Sequence, residues 1–170
     1  MYSLKKLHGA GAVFTLISGC LLHFVWEWSG RSNFTALFSP VSESVWEHLK
    51  LLFFPFLVFS IAEYFLYGKN ISCFLSVKTY AVLLGMFSIV SAFYTYTGII
   101  GKNFLLADMG TFVIGTGISY LYSYKKLNTP SECSVFSQAV SILWLIVFIS
   151  AFAVFSFRPP KFGIFLPPDI

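Results

Sequence analysis

Five apolar stretches, each about twenty residues long and almost free of charge, decide what this chain can become. They cover about residues 9–28, 42–67, 77–98, 104–124 and 135–157. About 20 mostly apolar residues is the length at which a helix crosses the hydrocarbon core of a bilayer. The connectors SGRSNFTALFSP, GKNISCF, GIIGKN and KKLNTPSEC carry turn residues instead. Only 11% of the chain is charged and 57% is hydrophobic, where a soluble domain has about 25% charge. A soluble fold of 170 residues has too little interior to hide that much apolar surface, so most of it meets lipid. The expected fold is all-α: a polytopic transmembrane helical bundle of five spans, a single domain over 1–170. Its tail at 158–170 is too rich in proline to be helical.

The net charge is +4, but the basic residues occur as the pairs Lys5-Lys6 and Lys125-Lys126 or singly. That scatter suits loop anchors at an anionic membrane surface and gives no nucleic-acid footprint. The expected partner is the lipid bilayer, and nothing in the sequence sets an oligomeric state. Ile17-Ser18-Gly19-Cys20 matches a lipoprotein cleavage pattern. The apolar LLHFVWEW that follows makes the block too long for a signal core, so an uncleaved span is expected. Loop lysines and arginines set orientation. Lys5, Lys6, Lys69, Lys78, Lys125 and Lys126 stand on one side, and Arg31, Lys102, Arg158 and Lys161 on the other. The bias predicts a multi-pass cell-membrane protein with a cytoplasmic N-terminus and an extracytoplasmic C-terminus. Cys20, Cys73 and Cys133 form no CxxC and are odd in number, which argues against a disulfide framework. On this orientation Cys73 and Cys133 are free thiols on the reducing side.

Lipid gives helices no hydrophobic reason to associate, so small residues mark their contacts. Ala81, Gly85, Ser88, Ala92 and Thr95 predict a left-handed seam on the third span. Thr111, Gly115 and Ser119 mark the fourth. Gly11, Thr15 and Gly19 mark the first, on a ridge that continues to His23 and Glu27.

Polar chemistry gathers at one end. His23 and Glu27 close the first span, Glu43, Glu47, His48 and Lys50 open the second, and Asp108 opens the fourth. Alternating spans bring these ends into one layer. Cα–Cβ bonds tilt toward a helix N-terminus, so His23 and Glu27 lean into the membrane and need partners. Glu47 and His48 are the expected ones. Each group also has a plain reading: Ser39-Pro40 starts a helix with Glu43 in its first turn, Glu47 pairs with Lys50, Glu27 pairs with Arg31, and Asp108 caps behind Asn103. Trp26, Trp28 and Trp46 suit an interfacial belt. Taken together, His23, Glu27, Glu43, Glu47, His48 and Asp108 are the candidate polar site. Imidazole with carboxylate suits a divalent Zn, Mn or Fe ion, with His23, Glu27, Glu47 and His48 as the expected ligands. The HExxH zinc motif does not occur, and a metal-free proton relay or ion path fits the same residues. No GxSxG occurs, so nucleophilic catalysis has no support. The functional classes left open are cation binding or acid–base chemistry near the extracytoplasmic face, a proton or ion transporter or channel component, and a structural or partner-binding subunit without chemistry.

Trp26 to Gly30, WEWSG, followed by Pro40 to Lys50, PVSESVWEHLK, resembles the signature of an uncharacterised family of small bacterial integral membrane proteins, a domain of unknown function. TGIIGKNFLLADMG, Thr97 to Gly110, is similar as well. The resemblance covers most of the chain and implies a polytopic membrane protein without implying a reaction. Its tail pattern of Pro-Pro-His, a Phe and Asp-Pro is altered here, with Lys161 in place of histidine and Pro167 in place of aspartate. If those tail groups complete a site in the family, this chain carries a changed one.

Overall fold

The computed structural model describes residues 4–129 and 133–168. Five helices follow one another: α1 (Leu4–Trp28), α2 (Val45–Leu66), α3 (Phe74–Ile100), α4 (Leu105–Leu127) and α5 (Val135–Phe157). Short 3₁₀ turns sit at Thr35–Leu37, Gly68–Asn70 and Gly163–Phe165, and no strand occurs among the described residues. All five helices are long and apolar enough to cross a membrane. The protein is an all-α, multi-pass bundle. Large apolar side chains face outward along it, among them Leu143, Ile146, Val147 and Val154 on α5, a surface made for lipid.

Local chemistry sets the helix ends. Ser44, not Ser39, caps α2: its backbone is extended and its Oγ accepts the Glu47 N–H. Ser39 is buried and spans the end of α1, donating to the Leu22 carbonyl at 2.5 Å and accepting the Trp26 N–H at 3.1 Å. Gly101 ends α3 at φ 80, with its N–H returning to the Thr97 carbonyl at 2.7 Å, a left-handed stop that glycine adopts without strain. α1 and α3 begin earlier than expected, so Lys5, Lys6 and Lys78 lie within helices.

Packing follows the small residues only in part. On α3 the buried ridge runs Ala81, Gly85, Ile89 and Phe93, while Thr95 is exposed. The seam therefore keeps steps of four. A β-carbon on Gly85 would lie 2.7 Å from the Gly115 carbonyl, and one on Gly115 would lie 2.8 Å from the Gly85 carbonyl. The two backbones meet there because neither residue has a side chain. On α2, Pro55 has no N–H to give the Leu51 carbonyl four residues back. That carbonyl faces Gly19 of α1, where a β-carbon would approach to 2.6 Å.

The cysteine expectation is overturned. Cys73 and Cys133 form a disulfide with their α-carbons 5.1 Å apart. A sequence separation of 60 hid the pair, but the up-and-down path brings the α2–α3 and α4–α5 loops to the same end. Cys20 is free and exposed.

Gly85→Val should separate α3 from α4 and destabilise the bundle by about 1–3 kcal/mol or more, read as a lower thermal midpoint in detergent. Gly98→Ala, where a β-carbon meets nothing within 4 Å, should leave the midpoint unchanged or slightly raised.

Candidate functional site

The end that carries the sequence-predicted residues sorts them into separate groups. His23, on the last turns of α1, faces His48, on the first turn of α2, with ring centroids 5.2 Å apart. Glu43 precedes the α2 cap, so the bend before Ser44 lets it swing over both rings. Its Oε2 lies 3.3 Å from His48 Nε2, and its Oε1 lies 3.9 Å from His23 Nε2. One ligand atom from each of the three lies within 4.8 Å of the others. His48 Nδ1 sits 2.9 Å from the Ser44 carbonyl. That bond puts a proton on Nδ1, so Nε2, which faces Glu43, is the nitrogen that carries the second proton or, without it, the lone pair. The buried Nδ1 of His23 has no hydrogen-bond partner. The His48 ring beside Glu43 holds its carboxyl below the usual carboxylate range, so Glu43 is an anion near neutral pH. Asp108, half-buried in the first turn of α4, accepts from Tyr96 Oη and, at 3.4 Å, from Asn103. Its charge reaches His48.

Glu27 and Glu47 are not in this group. Glu27 is exposed and pairs at 3.2 Å with Arg31, four residues on in the turn that follows α1. It stands one turn beyond His23, far enough out to take its partner at the surface. Glu47 precedes His48 by one residue and so points about 100° away around the helix. It is buried, and its Oε2 accepts Lys50 Nζ at 2.7 Å and the Val41 N–H at 2.9 Å. Lys50 also donates to the Ala36 and Ser39 carbonyls and to Ser156 of α5. Ser156 in turn donates to Glu47 Oε1 at 3.1 Å. This pair is saturated with protein partners and ties α2 to the 36–41 segment and to α5. Of the expected ligands His23, Glu27, Glu47 and His48, the structure brings only His23 and His48 together, and Glu43 joins them. The tail keeps to the other face of α2, where Phe165 packs on Trp46 at 5.0 Å. Trp46 sits in an aromatic cluster with Phe148, Phe152 and Phe155 and does not join a belt. Lys161 is exposed.

A family whose pattern spans residues 2–168 matches this chain over nearly its whole length. The chain belongs to DUF6512, a family of unknown function. No curated protein and no solved structure matches it. DUF6512 membership covers all five helices of this chain and both of its ends, and it brings no reaction with it.

This DUF6512 chain has a second ionisable cluster, at the disulfide end, that sequence reasoning missed. Glu63 of α2 and Lys78 of α3 form a fully buried ion pair, with Tyr67 and His8 of α1 against the same carboxylate. A signal existed. The α1 ridge of Gly11, Thr15 and Gly19 extends back one step to His8, and those four are the buried residues of α1. Lys78 was read as a loop charge because the third span was begun one residue before it.

Lys50→Ala should leave Glu47 as an uncompensated buried charge and destabilise the protein by about 3–5 kcal/mol, measured by thermal or denaturant unfolding in detergent. Glu27→Gln, at an exposed pair, should change stability by less than about 1 kcal/mol.

Proposed function

We propose that this protein binds a divalent transition-metal ion, of the Zn, Mn or Fe class, at one membrane face through His23 Nε2, His48 Nε2 and a Glu43 oxygen. The observation that carries this reading is the convergence of those three atoms within 4.8 Å, with the His48 tautomer held by the Ser44 carbonyl. Ligands about 2.0–2.2 Å from a tetrahedral ion stand about 3.3–3.6 Å apart. The His48–Glu43 separation of 3.3 Å meets that through one carboxylate oxygen, and His23 stands 3.9 Å from the other, so a shared ion would draw the three groups together. Two histidines with one carboxylate leave a coordination position open, the arrangement of metal sites that act on a bound water or substrate oxygen.

Purified protein in detergent, titrated with Zn²⁺, should bind about one ion per chain. His23→Ala, His48→Ala and Glu43→Gln should each weaken binding by more than the roughly 10–100-fold that outer-shell changes bring. Glu27→Gln should not. Affinity should fall below about pH 6, as imidazoles must be neutral to bind. Binding that none of the three substitutions alters counts against the reading.

A second reading, movement of protons or ions across the bundle, is favoured by one observation: a separate buried ionisable cluster at the opposite end. Proton flux in proteoliposomes that is lost in both His48→Ala and Glu63→Gln would favour it over metal binding.

We infer an orientation opposite to the one that the loop lysines suggest. Disulfides persist on the oxidising side of a membrane, and Cys73–Cys133 marks the end at which α1 begins. Lys78 is buried against Glu63 and drops out of the loop count. That leaves Lys5, Lys6, Lys69, Lys125 and Lys126 against Arg31, Lys102, Arg158 and Lys161, almost no bias. The N-terminus and the disulfide then face out of the cell membrane, and His23, Glu43 and His48 face the cytoplasm. A membrane-impermeant alkylating reagent should label Cys73 and Cys133 in intact cells only after reduction, and a reporter fused at the C-terminus should be active on the cytoplasmic side. An active periplasmic reporter there would reverse the assignment.

A further inference from the structure

The cluster at the disulfide end consists of charged and polar groups drawn from four helices, sealed from solvent and distinct from the His23 site. Glu63 on α2 and Lys78 on α3 are buried, at 0% and 2% exposure, and His8 on α1 is at 4%. Glu63 Oε2 takes the Lys78 ammonium, its Oε1 takes the Tyr67 hydroxyl at 2.7 Å, and His8 Nδ1 stands 3.8 Å from that same oxygen. Lys78 is roofed by the rings of Phe56, Phe74 and Tyr120 at 5.3–5.6 Å. From α4, Ser123 reaches His8 Nε2 at 3.1 Å, and the Tyr120 and Tyr124 rings meet the imidazole edge-on. The groups facing His8 are thus Glu63 and Tyr67 from α2, Lys78 from α3, and Ser123, Tyr120 and Tyr124 from α4.

Structural need does not account for this placement. Glu63 lies in the last turn of α2 and Lys78 in the second turn of α3. A carboxylate is disfavoured at a helix C-terminus and a cation at an N-terminus, so each member of the pair opposes its own helix dipole. A buried ion pair of this kind is commonly replaceable by apolar residues without loss of stability. In a membrane, a buried ionisable group paired in this way marks a proton or ion path by default.

We propose that His8, held between Ser123 and the Glu63–Lys78 pair, is an intramembrane proton-binding site. The hydrogen bonds are arranged to survive both states. Nδ1–H donates to the Leu4 carbonyl at 2.9 Å whether the ring is neutral or charged. The Ser123 hydroxyl donates to Nε2 when the ring is neutral and accepts from Nε2–H when the lone pair has taken a proton. Protonation therefore breaks no bond, and the new cation faces the Glu63 carboxylate against the repulsion of the Lys78 ammonium that shares it. Tyr67 is half-buried, lies beside the disulfide-bonded loop and carries its hydroxyl on Glu63, so it opens the cluster toward that membrane face.

The chain has three histidines, which makes the test direct. In ¹⁵N-histidine-labelled protein in nanodiscs, His8 is assigned by loss of its signal in His8→Gln. Its ring nitrogens should pass from the cationic to the neutral pattern between about pH 5 and pH 8. In Glu63→Gln the midpoint should fall by about one pH unit or more. Potentiometric titration of the wild type should take up about one proton per chain more than His8→Gln over the same range. A wild-type His8 that stays in one protonation state throughout, with no difference in proton uptake, overturns the proposal and leaves the cluster a structural weld. A His8 midpoint unmoved by Glu63→Gln also overturns it.

Discussion

A charge in hydrocarbon must find its counter-charge inside the same protein, and in this chain almost every answer to that demand involves α2. Glu47 finds Lys50 one turn away, Glu63 finds Lys78 of α3, and His48 finds Glu43 just before the helix begins. Each pair fixes how α2 sits against a neighbour: Ser156 reaches it from α5, His23 and His8 from α1, and Lys78 from α3. The small-residue contacts complete the arrangement. Gly19 meets the carbonyl that Pro55 leaves without its usual helix partner, and Gly85 and Gly115 bring α3 against α4.

The pairs differ in how complete they are, and that difference separates scaffold from site. The Glu47–Lys50 joint is closed: carbonyls, a hydroxyl and a backbone N–H occupy its positions, and no ligand could enter without displacing one. The Glu43 carboxylate is 70% exposed, and His23 keeps an unpartnered ring nitrogen. The His23, Glu43 and His48 group is therefore open where the Glu47–Lys50 joint is closed.

The five helices could be read from the sequence because lipid demands long apolar runs, and the fifth span, 135–157, matches its helix. The layer of polar ends was legible for the same reason: alternation across a membrane fixes which ends meet. Pairing within the layer was not. A periodicity argument places Glu43 in a helix, but the chain bends at Ser44, and that bend frees Glu43 to reach the two histidines. The shared polar layer puts Glu47 with the site in the sequence reading, but its face of α2, about 100° from that of His48, turns it to Lys50, the plain pairing that the sequence also offers. The topology already puts Cys73 and Cys133 at one end; the bond was hidden by the odd cysteine count and by reading that end as the reducing side. His8 falls one residue outside the expected first span, and Lys78, one residue inside the third, reads as an anchor until its partner Glu63 in the neighbouring helix is seen.

The bridge between Cys73 and Cys133 makes α3 and α4 part of one covalent ring, closed over a sequence separation of 60 residues. Sliding or parting of that hairpin is restrained from both ends, by the Gly101 turn at one and the bond at the other. α1, α2 and α5 carry no such tether. The His23–His48–Glu43 group lies entirely on α1, the first turn of α2 and the residues just before it, outside the ring, whereas the Glu63–Lys78 and His8–Ser123 contacts each cross from an untethered helix to a ring helix. Movement of α1 and α2 against the ring would therefore alter the electrostatics of the deeper cluster while leaving the three-residue group intact, which gives the two ends of the molecule different mechanical sensitivities.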